Sequence, residues 1–174
     1  MTKKNDLEKE IPIKTSSRRD IRFLAFNLLY AVDRFDYSVS LDQVIQNFQD
    51  GFDLEIPHDS YAIEMVIGAM EMRKELDEEI KPMLKNWKLE RLGCCTHLIL
   101  RLALWELKQP NAIPSIVINE AIELAKAFAE KDAYKFVNGI LDEICKKLKI
   151  SDGDKEPESS KPGDSDEQGD KRKS

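Results

Sequence analysis

Arginine and aromatic side chains share one side of a segment near the N-terminus, and together they suit single-stranded RNA. Apolar residues recur with helical spacing between positions 16 and 35, which predicts a helix there. With about 100° of rotation per residue, one side of this helix, away from its apolar residues, carries three arginines and three aromatic residues. These are Arg18, Arg19, Arg22, Phe26 and Tyr30, with Phe23 at the margin of the same side. Guanidinium groups contact phosphates, and rings stack on unpaired bases. The alternative is that another helix buries the aromatic rings and that the arginines are merely solvated.

The same helix has an apolar stripe that predicts its side facing the protein core. The stripe consists of five apolar residues at helical spacing: Ile21, Leu24, Leu28, Val32 and Phe35. Its presence explains why the arginine side is expected to face solvent.

Catalytic and metal-binding patterns are weak. Cys94 and His97 lie one helical turn apart, so both could reach one metal ion, but no further ligands accompany them. Glu120 and Glu123 are helix neighbours and are expected on a solvated face. The chain shows no glycine-rich phosphate loop and no nucleophile motif. The sequence therefore predicts a binding protein with no metal and no cofactor, rather than an enzyme.

Charge is distributed unevenly along the 174 residues, whose formal net charge is −6. Residues 1–22 carry seven Lys/Arg against four acids, whereas residues 151–174 carry eight acids against five bases and no apolar side chain. Nucleic-acid binding is therefore expected as a local property. We predict a flexible basic arm at 1–15, a folded domain at 16–149 and a disordered acidic tail at 150–174.

Hydrophobicity and cysteine usage favour a cytoplasmic protein. The hydrophobic residues make up 41% of the chain, and no apolar run approaches the ~20 residues that a membrane span needs. The charged N-terminus does not resemble a secretory signal, and three cysteines make a poor disulfide framework.

The remaining periodicity predicts an all-α fold of about seven helices in two packed subdomains. Further helices are expected at 40–49, from 61 through 70 or on to 76, at 77–87 with a break or kink at Pro82, and at 89–108. Residues 111–148 predict two amphipathic helices joined by a short turn, with Pro114 in the first turn. In the last helix Phe136 lies beside the core stripe, and Gly139 suggests close approach by another backbone.

The residue identities in this hairpin resemble a known family. The run from Val117 to Lys126, VINEAIELAK, followed by KFVNGILDEI, closely resembles the C-terminal signature of the NusB transcription antitermination family. Arg91-Leu92 and the run from Leu98 to Leu107, LILRLALWEL, resemble its preceding helix, and the segment 17–30 resembles its opening helix. These blocks follow the family's order across about residues 17–148.

The resemblance implies a function and two sets of contact residues. It implies binding of boxA-type RNA together with the ribosomal protein NusE, within the antitermination complex of RNA polymerase, in support of ribosomal RNA transcription. It implies RNA contacts at Arg18, Arg19, Arg22, Asp132, Lys135 and Phe136. It implies partner contacts at Phe26, Tyr30, Thr96 and Trp105, although position 96 often carries an acid in the family and here carries threonine.

Two further hypotheses belong to other classes. One is a helical interaction module or homodimer with no role in RNA binding. The other is an accessory domain for an RNA-modifying enzyme, because some RNA cytosine methyltransferases carry a NusB-like domain. Binding to boxA-type RNA with and without NusE distinguishes the three.

Overall fold

A computed structural model describes residues 17–153, and within that range the regular structure is helical throughout. Seven α-helices follow one another: α1 Arg18–Arg34, α2 Leu41–Phe52, α3 Tyr61–Glu71, α4 Arg73–Ile80, α5 Cys94–Leu107, α6 Pro114–Phe128 and α7 Ala133–Leu148. Short 3-10 helices cover Lys81–Leu84 and Leu89–Arg91. The predicted all-α class is confirmed. The predicted arm at 1–15 and the tail beyond residue 153 lie outside the described residues.

Local sequence signals account for several helix ends. Ser17 and Asp20 form a capping box, in which the Ser17 hydroxyl accepts the Asp20 backbone N–H and the Asp20 carboxylate accepts that of Ser17. Pro82 lies in the 3-10 helix that follows α4, and Pro114 occupies the first turn of α6. The chain therefore breaks near Pro82, as predicted. The predicted bounds of 77–87 were wrong, because α4 already begins at Arg73 and no helix continues beyond Leu84 to residue 87.

The helix predicted at 89–108 is interrupted, and α5 starts only at Cys94. The carboxylate of Glu130 lies against Gly93, where an added Cβ would fall 1.4 Å from Oε1. Glu130 also accepts a hydrogen bond from the Thr96 hydroxyl at 2.8 Å. A side chain from 34 residues further along thus occupies the start of α5, which helical periodicity alone does not reveal.

Helix α5 runs through the centre of the fold and is buried from Leu98 to Leu107. It packs against α1, α3, α4, α6 and α7, and one continuous hydrophobic cluster joins all of these helices. Its Trp105 lies on α3 at Gly68, where a Cβ would fall 1.9 Å from the indole Nε1. Glycine at position 68 therefore permits the close packing of α3 on α5.

Two charged residues on this buried helix, Arg101 and Glu106, have ion-pair partners on neighbouring helices. Arg101 donates to both carboxylate oxygens of Asp77 on α4 at 2.8 and 2.7 Å, and His97 contacts the same carboxylate at 2.7 Å. Burial opposes ionisation of Asp77, but the hydrogen bonds from Arg101 and His97 outweigh it and hold the pKa of this carboxyl well below its usual range. The network fastens α4 to α5.

Replacement of Asp77 by asparagine should destabilise the fold by about 2 kcal/mol at pH 7, because Arg101 loses its charged partner. The folded-state pKa of Asp77 is depressed, so its contribution is complete above the unfolded pKa near ~4 and is lost progressively as pH falls from that value through the lower folded-state pKa. Urea unfolding at pH 7 and pH 3 measures this difference. The exposed Asp59→Asn is the matched control. An equal loss in both variants, or an effect of Asp77→Asn that is no smaller at pH 3 than at pH 7, would refute the assignment.

Candidate nucleic-acid interface

The first turn of α1 presents two exposed arginines, Arg18 and Arg19. The Arg19 guanidinium donates to Glu120 of α6 from Nε at 3.2 Å and from Nη2 at 3.3 Å. The Arg19 side chain is 56% exposed despite this pair. The Glu120 side chain is only 15% exposed, so it does not lie on the fully solvated face that was expected. Water still reaches the Arg19 guanidinium and screens the pair, so Arg19 can exchange its carboxylate partner for a phosphate at modest cost.

Arg22 does not belong to this exposed surface, and the expectation that it would was wrong. Its residue exposure is 7%, and its Nε donates to Glu106 Oε2 of α5 at 2.9 Å while Nη2 donates to Oε1. Its Nη1 also donates to the backbone carbonyl of Arg18 at 3.1 Å. Burial opposes the charge, but the hydrogen bonds to Glu106 outweigh it, and the pKa of Arg22 is raised. Arg22 therefore connects α1 to α5 inside the protein.

The aromatic residues of α1 divide between the core and the surface. Phe26 is only 2% exposed and stacks on Phe128 of α6 with ring centroids 4.7 Å apart, while Phe23 lies 5.4 Å from the same ring. The alternative that another helix buries the aromatic rings of α1 is therefore confirmed for Phe26. Tyr30 remains exposed at 37%, and Phe35, expected in the core, is 53% exposed where α1 ends.

Two of the expected partner contacts, Thr96 and Trp105, are also buried, at 3% and 5% exposure. Thr96 donates to Glu130, so a carboxylate does lie at this position, although it comes from the turn between α6 and α7. Trp105 contacts Tyr61 with ring centroids 6.2 Å apart. Among Phe26, Tyr30, Thr96 and Trp105, only Tyr30 offers a sizeable side-chain surface to a partner.

The start of α7 forms a second polar and aromatic cluster. Asp132 adopts a left-handed backbone with φ 63°, and Lys135 Nζ lies 3.2 Å from its carboxylate. Both are exposed, and Phe136 is half-buried as the sequence suggested. Because both Lys135 and Asp132 are exposed, their ion pair is weak and leaves Lys135 available to other anions.

Phe136 lines an open pocket of about 420 Å³ between α7 and the 3-10 helix after α4. Trp87 lines the same pocket and is 62% exposed, which makes it the most exposed large hydrophobic side chain of the described residues. Gly139 also lines the pocket, and a Cβ there would meet no atom within 4 Å, so the expected backbone approach was wrong. Trp87 was not among the predicted site residues, although a tryptophan among lysines and asparagine shortly after Pro82 is a usable signal.

The two clusters lie on different parts of the helical hairpin. Arg19 contacts α6 at Glu120, whereas Phe136 lies on α7 and faces the segment that holds Trp87. Helices α6 and α7 pack on each other, and α6 also packs on α1. The hairpin therefore fixes the distance between a cationic surface and an aromatic pocket, without placing them in one cavity.

Cys94 and His97 each contact a different carboxylate. Cys94 Sγ lies 3.4 Å from Asp33, and burial, followed by this carboxylate, raises the thiol pKa to about 11. His97 contacts Asp77. Within residues 17–153, no group of three or more His, Cys, Asp and Glu side chains is arranged to hold a metal ion. None of the helices described is long and apolar enough to cross a membrane.

The fold and the surface define a small all-helical protein whose exposed cationic and aromatic groups suit a single-stranded nucleic acid. A family model described as the NusB family matches residues 19–146. The chain therefore belongs to the NusB family.

Individual relatives agree with this assignment. The transcription antitermination protein NusB of Geotalea uraniireducens is 40% identical over 140 residues, which are 76% of this chain and 97% of that protein. The NusB protein of Macrococcus caseolyticus is 37% identical over 131 residues, which are 75% of this chain and 97% of that protein.

Solved structures show the same fold. The chain is similar to NusB of T. maritima with a TM-score of 0.67 and 31% identity, covering 77% of this chain and 94% of the other. A structure of the antitermination factors NusB and NusE in complex with double-stranded RNA gives a TM-score of 0.63 and 28% identity, covering 75% of this chain and 96% of the matched one.

Replacement of Arg22 by methionine should cost about 3 to 5 kcal/mol of unfolding free energy, because Glu106 is left as an unpaired buried charge. The double variant Arg22→Met/Glu106→Leu should recover more than half of that loss, since it removes both charges. Arg19→Met is the matched exposed control and should change the unfolding free energy by less than about 0.5 kcal/mol. A mild effect of Arg22→Met in denaturant unfolding would contradict a structural role.

Proposed function

We propose that this chain is a transcription antitermination factor that binds boxA-type single-stranded RNA jointly with the ribosomal protein NusE. The observation that carries the proposal is the agreement of fold and sequence with NusB proteins, among them one solved together with NusE and RNA. In this proposal the bound pair joins the antitermination complex of RNA polymerase during ribosomal RNA transcription. The protein acts by binding and carries out no covalent chemistry.

The exposed side chains suit the two tasks that RNA binding requires. Arg18 and Arg19 contact phosphates, and Lys135 adds a cation at the start of α7. Phe136 and Trp87 offer ring surfaces at an open pocket, where an unpaired base can stack. Asp132 lies beside Lys135 and is suited to accept hydrogen bonds from a base edge or a ribose hydroxyl.

Tyr30 is the proposed partner contact on α1. Its exposed ring lies 5.8 Å from the Arg34 guanidinium and 6.1 Å from the ring of buried Phe26, so core packing supports it from behind. Partly exposed aromatic residues held in place in this way are favoured anchors at protein interfaces.

Removal of the two exposed arginines should make RNA binding less sensitive to salt. Each phosphate contact contributes about 0.7 to the slope of log affinity against log salt for single strands, so Arg18→Ala/Arg19→Ala should flatten the slope by about 1.4. Titrations of a boxA-type RNA over a salt series measure the slope. Lys74→Ala, an exposed cation on α4, is the matched control. If the two variants change the slope equally, the phosphate contacts do not lie at the start of α1.

NusE should raise the RNA affinity by about 5- to 150-fold, which corresponds to a coupling free energy of ~1–3 kcal/mol. Linkage requires RNA to raise the NusE affinity by the same factor. Tyr30→Ala should weaken NusE binding and leave RNA binding by the isolated protein unchanged. Phe52→Ala on α2, another exposed aromatic, is the control. RNA affinity that is indifferent to NusE would instead favour the helical module without an RNA role.

A further inference from the structure

A cleft of about 480 Å³ opens where the start of α1 meets the starts of α3 and α6. The buried Arg22–Glu106 pair and Tyr61 lie at its wall, and burial together with Glu106 raises the pKa of Tyr61 to about 12. Two isoleucines at the mouth are strongly exposed, Ile113 at 44% and Ile116 at 36%. Exposed β-branched residues lining a concave surface are typical of a docking site for an apolar segment.

Both ends of the described chain lie beside this cleft. Arg18, the first residue of α1, lines it directly. At the other end, Asp152 Oδ1 accepts the backbone N–H of Ser115 at 3.0 Å, next to Ile116. Either terminal segment therefore begins close enough to enter the cleft.

The compositions of the two segments identify the occupant. Residues 154–174 contain no aliphatic or aromatic side chain apart from two prolines, whereas residues 1–16 contain the run Ile11-Pro12-Ile13. Ile13 precedes Arg18 by five residues, a span of about 17 Å when extended, so this run can fold back onto the cleft. Pro12 restricts the backbone and lowers the entropy lost on docking.

The charges around the run also suit the rim of the cleft. Glu10 and Lys14 flank the apolar run, and the exposed charged residues lining the cleft are Arg18 and Glu64. Each flanking charge thus has an opposite charge available at the rim. Attachment to α1 gives the run an effective concentration in the millimolar range, so even weak contacts suffice for occupancy.

We propose that Ile11-Pro12-Ile13 docks in this cleft of the same chain and covers Ile113 and Ile116. Docking keeps Lys14 on the side of the molecule that bears Arg18 and Arg19. This contact requires neither RNA nor NusE, so it stands apart from the proposed function.

Methyl NMR on the full chain with labelled isoleucine tests the proposal. We expect nuclear Overhauser contacts from the δ1 methyl groups of Ile11 or Ile13 to those of Ile113 or Ile116, unchanged on dilution. The variant Ile11→Asp/Ile13→Asp should abolish these contacts and shift the Ile113 and Ile116 methyl resonances. Leu7→Asp, an apolar residue further out in the same segment, is the matched control and should leave them in place.

Each other outcome overturns the proposal in a recognisable way. Contacts seen only between differently labelled molecules in a mixed sample would show that a second copy fills the cleft. Shifts on deletion of residues 154–174, but not in the isoleucine variant, would identify the acidic tail as occupant. An equal effect of Leu7→Asp would contradict the assignment to Ile11–Ile13, and unshifted Ile113 and Ile116 in every variant would show an open cleft.

Discussion

The Arg22–Glu106 ion pair is the constraint on which the candidate interface depends. It joins the first helix to the central helix α5, and both side chains are almost fully withdrawn from water. A buried pair of this kind is costly to break because the remaining charge has no solvent to stabilise it. The hydrogen bond from Arg22 to the Arg18 carbonyl then fixes the first turn of α1. The exposed guanidinium groups of Arg18 and Arg19 are consequently presented from a rigid base.

The helical architecture could be predicted from sequence because periodicity, serine caps and prolines act locally. Ser40 and Pro114 lie at the predicted helix starts, and α1 is capped by Ser17, one residue after the predicted start at position 16. The break at Gly93 could not be predicted in this way, since it depends on Glu130 arriving from a distant turn. Helix boundaries set by tertiary contacts leave no local signal.

The candidate interface was predicted less well, for a related reason. A helical wheel shows which residues share a side, but α1 is packed against α2, α3, α5 and α6, so more of its circumference is buried than one apolar stripe suggests. Arg22 and Phe26 therefore lie inside the protein, where Arg22 donates to Glu106 and Phe26 stacks on Phe128. Arg19 and Lys135, near helix ends, lie at the surface as the wheel and the resemblance indicated. Trp87 was predicted at the end of a helix over 77–87, but it lies in a loop beyond the 3-10 helix, so the helical pattern did not indicate its exposure.

The overall acidity of the chain is compatible with RNA binding because the cationic groups of the interface are local. Arg18 and Arg19 lie at the start of α1 and Lys135 at the start of α7, and all three side chains are exposed. In the proposed interface, the rings of Phe136 and Trp87 at their pocket supply a sequence-tolerant contact through stacking. Affinity in this arrangement is divided among several weak contacts, which is consistent with a protein that binds RNA jointly with a partner.

The two tryptophans allow the most direct test of an RNA-binding face that includes the Phe136 pocket. Trp87 is 62% exposed at that pocket, whereas Trp105 is 5% exposed in the core. In a titration of the ¹⁵N-labelled protein with a boxA-type RNA, followed through the indole N–H resonances, the Trp87 signal should shift progressively and the Trp105 signal should stay in place. A bound RNA that leaves Trp87 unmoved, while amides of α2 and α3 shift, would contradict the account.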